Sequence, residues 1–242
     1  MSTLALLWLA PIILLAYTAQ AITGFGSTVI SITLAALFLP IPMVMPVVVA
    51  LNLPFCAWLV WRERRGIALR LLWRDILPLM GLGTLVGVLA AAWLSGVDLR
   101  RPFGAVVIMI VALDLWRLAH RRENAPHPLL RRLLIGLSGF TQGLYASGGP
   151  FLAAALAGSG LDKGAQRATL SVVWLLVNAA LTLWFFLIGR FGPDAQLATL
   201  WLLPVTGLAL YLGNRLHHRV DERQFRLLVD LLLLISGIAL WR

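Results

Sequence analysis

Gln20, Ser27, Thr28 and Asn52 in one part of the chain, and Gln142, Ser147 and Asn178 in another, are uncharged hydrogen-bonding residues set within apolar sequence. Amides and hydroxyls of this kind orient hydrogen bonds toward a ligand without themselves carrying charge. Glycines accompany both groups: Gly24 and Gly26 stand in TGFGST, Gly148 and Gly149 in YASGGP. Ser147 invites comparison with a nucleophile, yet His120, His127, His217 and His218 all fall in charged loops, so the apolar runs hold no histidine base for it. Hydrolytic catalysis by the usual dyads is therefore not expected. Cys56 is the lone cysteine and lies in an apolar run, which leaves no disulfide framework and no metal cluster. What remains is recognition of a ligand by hydrogen bonds, with no cofactor called for.

Both groups cut a hydrophobic run that then resumes. Lipid tolerates such a cut only where protein or a water-filled cavity surrounds it, since unpaired backbone groups cost several kcal/mol in hydrocarbon. One helix is expected to begin at Thr28, after Gly24–Ser27, and another at Pro150, after Ala146–Gly149. Glycine permits the tight path, Ser27 or Thr28 can cap the first helix, and Pro150 suits a first helical position. Each start directs free N–H donors and roughly half a positive charge inward. Two such starts meeting from opposite sides would hold an anion without a buried Arg or Lys. Asn52 and Asn178, each near the middle of a span, could complete the pocket. Small and hydroxyl residues also serve as plain packing surface between membrane helices. That reading is favoured for any single Ser or Thr, and the cavity reading for the paired breaks.

The elements that must carry these residues follow from composition. The 242 residues are 60% hydrophobic and 12% charged, with mean hydropathy +0.90. A soluble domain carries roughly 25% charged residues, so the chain reads as an all-α polytopic membrane protein, a single integral domain in the lipid bilayer. Ten apolar runs can be marked, about 4–21, 28–39, 43–61, 76–94 and 103–118, then 133–145, 150–157, 168–188, 197–212 and 225–241. A span needs about 20 residues, so 28–39, 133–145 and 150–157 are too short to cross alone and read as arms of broken hairpins. Ala19-Gln20-Ala21 resembles a signal-peptidase site, but the start carries no basic residue and Pro11 interrupts the run, so a retained segment is expected.

The two halves repeat. Asn52/Asn178, Trp58/Trp184, Pro78/Pro204, Gly81/Gly207 and Gly87/Gly213 all stand 126 residues apart, and 10 of the 36 positions from Asn52 to Gly87 are identical at that offset. Gln20/Gln142 and Gly26/Gly148 stand 122 apart. The prolines and glycines of the 126 set read as kink and close-packing positions. Of the 20 Arg and Lys residues, 16 lie in four loops, 62–74, 117–132, 163–167 and 215–226, which explains the net charge of +10 by topology and not by nucleic acid. The positive-inside rule puts those loops in the cytoplasm and both termini outside. The expected fold is two inverted repeats, residues 1–118 and 131–242, each a broken-helix hairpin plus three transmembrane helices. Asp114 and Asp230 interrupt apolar runs near Arg117 and Arg226; salt bridging is the first reading for both and proton coupling the second. Trp58, Trp174 and Trp184 are deep enough to shape a pocket.

The GFGS and SGGP breaks, the paired Asn-bearing spans and the P-x-x-G-x5-G repeats resemble the TauE/SafE permeases, also called the toluene sulfonate uptake permease family. The resemblance covers nearly the whole chain. It implies transport of organosulfur anions (sulfonate, sulfite or a related sulfur oxyanion) across an inner membrane, in either direction, with proton coupling as one option. The family's motifs map onto Gly24, Gly26, Gly148, Gly149 and Pro150; Ser27 stands where the second half has Gly149, so the arms are not equivalent. The alternatives are a passive small-anion channel and a non-transporting membrane subunit. A homodimer is left open.

Overall fold

The computed structural model describes residues 3–94, 98, 100–119, 126–216 and 222–241; the side chains of Thr3, Asp114, 116–119 and 222–226 also lie outside the described residues. Ten helices and no strand occur among the described residues. They are α1 (Thr3–Thr23), α2 (Ser27–Ala35), α3 (Ile41–Glu63), α4 (Leu69–Trp93) and α5 (Arg100–Ala119), then α6 (Pro128–Tyr145), α7 (Gly149–Leu156), α8 (Lys163–Leu187), α9 (Pro193–Leu216) and α10 (Glu222–Ala239). Helices α1, α3, α4, α8 and α9 are long and apolar enough to cross a membrane. Leu69–Trp93 contains one widened π-turn, Leu72–Ile76, whose Asp75 pairs with Arg131 of α6 at 2.5 Å.

Two helices are much shorter than a span. At 1.5 Å per residue the nine residues of α2 and the eight of α7 reach only about 12–14 Å. The run 133–145, expected to be a short arm, starts five residues earlier. Pro128 fits the first turn, and the His127 side chain accepts from the Leu129 N–H, so α6 has 18 residues.

Helix pairs form across the chain: α1 lies on α9, α6 on α4, α3 on α8 and α5 on α10. Short α2 packs on α1 and α3 and reaches α10, while α7 packs on α6 and reaches α5. The α4–α6 contact brings backbone to backbone. A methyl group on Gly83 would overlap the Gly136 carbonyl, on Gly87 that of Phe140, on Gly139 that of Met80 and on Gly143 that of Thr84. Gly213 of α9 meets the Thr18 carbonyl and Ala21 of α1 in the same manner. Helices in lipid gain little from hydrophobic exclusion, so close packing of small residues must hold them together. Gly81 and Gly207 do not share this role: a methyl group there would meet nothing within 4 Å, because both face away from neighbouring helices. Trp184 is 40% exposed, whereas Trp174 is buried.

Candidate broken-helix site

Helix α1 ends by a left-handed turn at Gly24, φ +86°, whose N–H returns to the Gln20 carbonyl at 2.7 Å. Helix α6 ends the same way at Ala146, φ +52°, bonded to Gln142 at 2.8 Å, with the Ser147 N–H reaching the Thr141 carbonyl at 3.2 Å. The bonds from Gly24 to Gln20 and from Ala146 to Gln142 are the five-to-one closure of a helix end by a left-handed residue. After each turn a new helix begins at once. Its first turn in α2 leaves the N–H groups of Ser27, Thr28 and Val29 with no hydrogen-bond acceptor among the described residues. The N-cap is Gly26, φ +104°, with no side-chain cap; neither Ser27 nor Thr28 caps the helix as expected, because both already lie inside it. Pro150 sits one residue inside α7, after Gly149.

The two breaks touch. A methyl group on Gly149 would lie 3.3 Å from the Phe25 side chain and 3.5 Å from the Gly26 nitrogen. Glycine at 149 is therefore what lets the second helix start approach the first.

A buried chain of hydrogen bonds runs behind them. The Gly148 N–H donates to Gln142 Oε1 at 2.9 Å, Gln142 Nε2 to Asn178 Oδ1 at 2.8 Å, and Asn178 Nδ2 to Asn52 Oδ1 at 2.9 Å. Asn52 Nδ2 then donates to Gln20 Oε1 at 3.0 Å and to Ser27 Oγ at 2.9 Å, and the Ser27 hydroxyl donates to Gln20 Oε1. Gln20 Nε2 donates to Cys56 Sγ at 3.3 Å, and the Cys56 thiol to Asn52 Oδ1 at 2.9 Å. All these side chains are buried, where an unmade hydrogen bond would cost about 1–3 kcal/mol. The arrangement offers a ligand oriented donors and no formal charge.

Gln20, Gly26, Ser27, Asn52, Gln142, Gly148, Gly149 and Asn178 are thus brought together. Gly24 adjoins them through its N–H, bonded to the Gln20 carbonyl, and its own carbonyl accepts from Trp174 Nε1 at 3.1 Å. Thr28 is buried in the first turn of α2. Ser147 stays apart from the chain; its hydroxyl donates to the Tyr145 carbonyl at 2.9 Å. Asp230 is 5% exposed and lines a cavity of about 40 Å³ with Thr23, Phe25, Gly26 and Pro150. The Asp114 side chain lies outside the described residues.

Sequence reasoning missed Cys56 as a member of the chain, and Ser138, whose hydroxyl donates to the Gly148 carbonyl at 2.7 Å. It also placed Arg167 and Glu63 at the loops. Arg167 is buried, and Arg167, Ser171, Trp174 and Asn178 follow at steps of four, three and four, one face of a helix. That period was the available signal.

Comparison with known proteins gives two matches. The family model described as sulfite exporter TauE/SafE matches residues 9–240. The chain is also similar to the probable inner membrane transporter protein TsaS of Comamonas testosteroni, 29% identical over 183 residues that cover 70% of this chain and 74% of that one. No solved structure matches the chain.

Proposed function

This chain belongs to the TauE/SafE sulfite exporter family, and on that premise we propose that it is a secondary transporter carrying a small organosulfur oxyanion, a sulfonate or sulfite, across the inner membrane. The observation that carries the proposal is the meeting of the two breaks, Gly26 against Gly149, with unclaimed helix-start N–H groups beside them. Such groups suit the oxygens of a tetrahedral or pyramidal sulfur anion, and the amides of Gln20, Asn52, Gln142 and Asn178 surround them. The family's description as sulfite exporters supports the same ligand class.

In this reading residues 1–118 and 131–242 are inverted repeats that rock about the breaks. Two observations support it. Exchanging the first five helices with the last five turns the α1–α9 contact into α6–α4 and leaves α3–α8 and α5–α10 unchanged. Gly87 meets the carbonyl of Phe140 as Gly213 meets that of Thr18, at matching repeat offsets. The arginine-rich loops then mark the cytoplasmic side, with both termini outside. Proton coupling through Asp230 is supported by its position in the wall of the cavity beside the breaks.

The test is uptake of labelled sulfite and taurine into proteoliposomes by the wild type and by Gly148→Leu, Gln142→Ala and Asn178→Leu. Uptake should fall at least tenfold in each variant, as expected when about 1.4 kcal/mol or more of binding is lost. Unchanged uptake in all three overturns the site. Absence of counterflow would leave a passive pore as the better description.

A further inference from the structure

A charged pair, Arg167 with Glu63, lies beside the first break. Arg167, in the second turn of α8, turns its guanidinium toward the end of α3, where Nε donates to Glu63 Oε2 at 3.0 Å and Nη2 donates to Glu63 Oε1. Nη1 donates to the Ala21 carbonyl at 2.7 Å, close to the end of α1. The Arg167 side chain is 9% exposed and that of Glu63 16%, so water screens the pair weakly. Glu63 forms part of the wall of an open cavity of about 570 Å³, whose other lining residues include Arg62, Arg64, Arg65 and Ala165. Arg167 is not among the residues of that wall, but the Glu63 carboxylate it holds is. On its other side Arg167 supports the break, for a methyl group on Gly24 would lie 3.1–3.3 Å from Arg167 Cα, Cβ and Cγ. The repeat offers no counterpart, since Ile41 and Gly189 stand at the 126-residue offset from Arg167 and Glu63.

We propose that Arg167 is an exchangeable oxyanion subsite at one end of the transport path, occupied by the Glu63 carboxylate until a substrate anion displaces it. This rests on the transport reading above and names a residue it lacks. A planar guanidinium binds two oxygens of a carboxylate in the same fork with which it binds two oxygens of a sulfonate or sulfite. The arginines of the cavity wall raise the local concentration of anions at its mouth. When the anion takes the fork, Glu63 swings into the cavity, and the contact with Gly24 carries the change to the break.

The experiment uses the full-length purified protein in detergent, melted with sodium sulfite or with gluconate at equal ionic strength. Glu63→Gln should melt below the wild type without sulfite, because a buried arginine is left uncompensated. Sulfite should restore it, with a shift larger than in the wild type. The double variant Glu63→Gln/Arg167→Gln, which carries neither charge, should show no such gain. In proteoliposomes, Glu63→Gln should lower the KM for sulfite about tenfold, and Arg167→Lys, a point charge without a fork, should raise it. A sulfite shift in Glu63→Gln no larger than in the wild type overturns the subsite and makes the pair a strut. Wild-type vesicles that take up neither sulfite nor sulfonate overturn the transport reading, and the melting shift still decides the subsite.

Discussion

Asn178 joins two hydrogen bonds whose far ends, Gln142 and Asn52, lie in different halves of the chain. Replacing it with Leu would strand Gln142 Nε2 in a buried setting, at about 1–3 kcal/mol, and leave Asn52 Oδ1 with the Cys56 thiol alone. Asn178→Leu should therefore lose about 1–3 kcal/mol of stability in reversible detergent unfolding. Ala146 tests the opposite sign. It holds φ +52°, where a side chain costs roughly 1–2 kcal/mol and glycine almost nothing. Ala146→Gly should raise stability by about 1 kcal/mol, while Gly24→Ala at the matching turn should lower it, since φ +86° and the close Arg167 backbone both oppose a methyl group. A denaturant titration that ranks the two the other way would show that the turns are not alike.

At the scale of elements, α4 and α6 approach because Gly83 and Gly87 lie against the carbonyls of Gly136 and Phe140, and Gly139 and Gly143 against those of Met80 and Thr84. Gly87→Leu or Gly143→Leu should push these helices apart and abolish folded yield, read as loss of the monodisperse peak in size-exclusion chromatography. Gly81→Ala is the control: nothing lies within 4 Å, and alanine favours helix by about 1 kcal/mol, so its melting point should hold or rise. This contrast also shows what the sequence disclosed. Polarity inside a hydrophobic run marked the broken helices, because lipid permits so few reasons for it; hence Gln20, Asn52, Gln142 and Asn178 were legible. The tight role of Gly87 and the idle one of Gly81 were not separable, since a glycine's purpose lies in what the facing helix presents. Arg167 was hidden for another reason. Its charge placed it with the loop arginines, and the partners that explain its burial, Glu63 and the Ala21 carbonyl, lie 104 and 146 residues away.

For the whole molecule, the proposed orientation predicts that alkaline phosphatase fused after Arg242 is active in cells and a fluorescent protein fused there is dark; the reverse result would put the termini inside. Each half supplies one break, but the halves are not electrically alike. The amides form a line with an arrow on it: every carboxamide from Gln142 through Asn178 and Asn52 to Gln20 presents its oxygen backward and its NH2 forward, ending at Cys56. An amide can reverse by rotating about one bond, whereas the backbone N–H of Gly148 cannot. That single immovable donor sets the direction of all four, and the Gly26 N–H makes no matching bond to Gln20 at the other end. Anything that draws the Gly148 N–H away from Gln142 would release the arrow, and all four dipoles could turn without a helix moving.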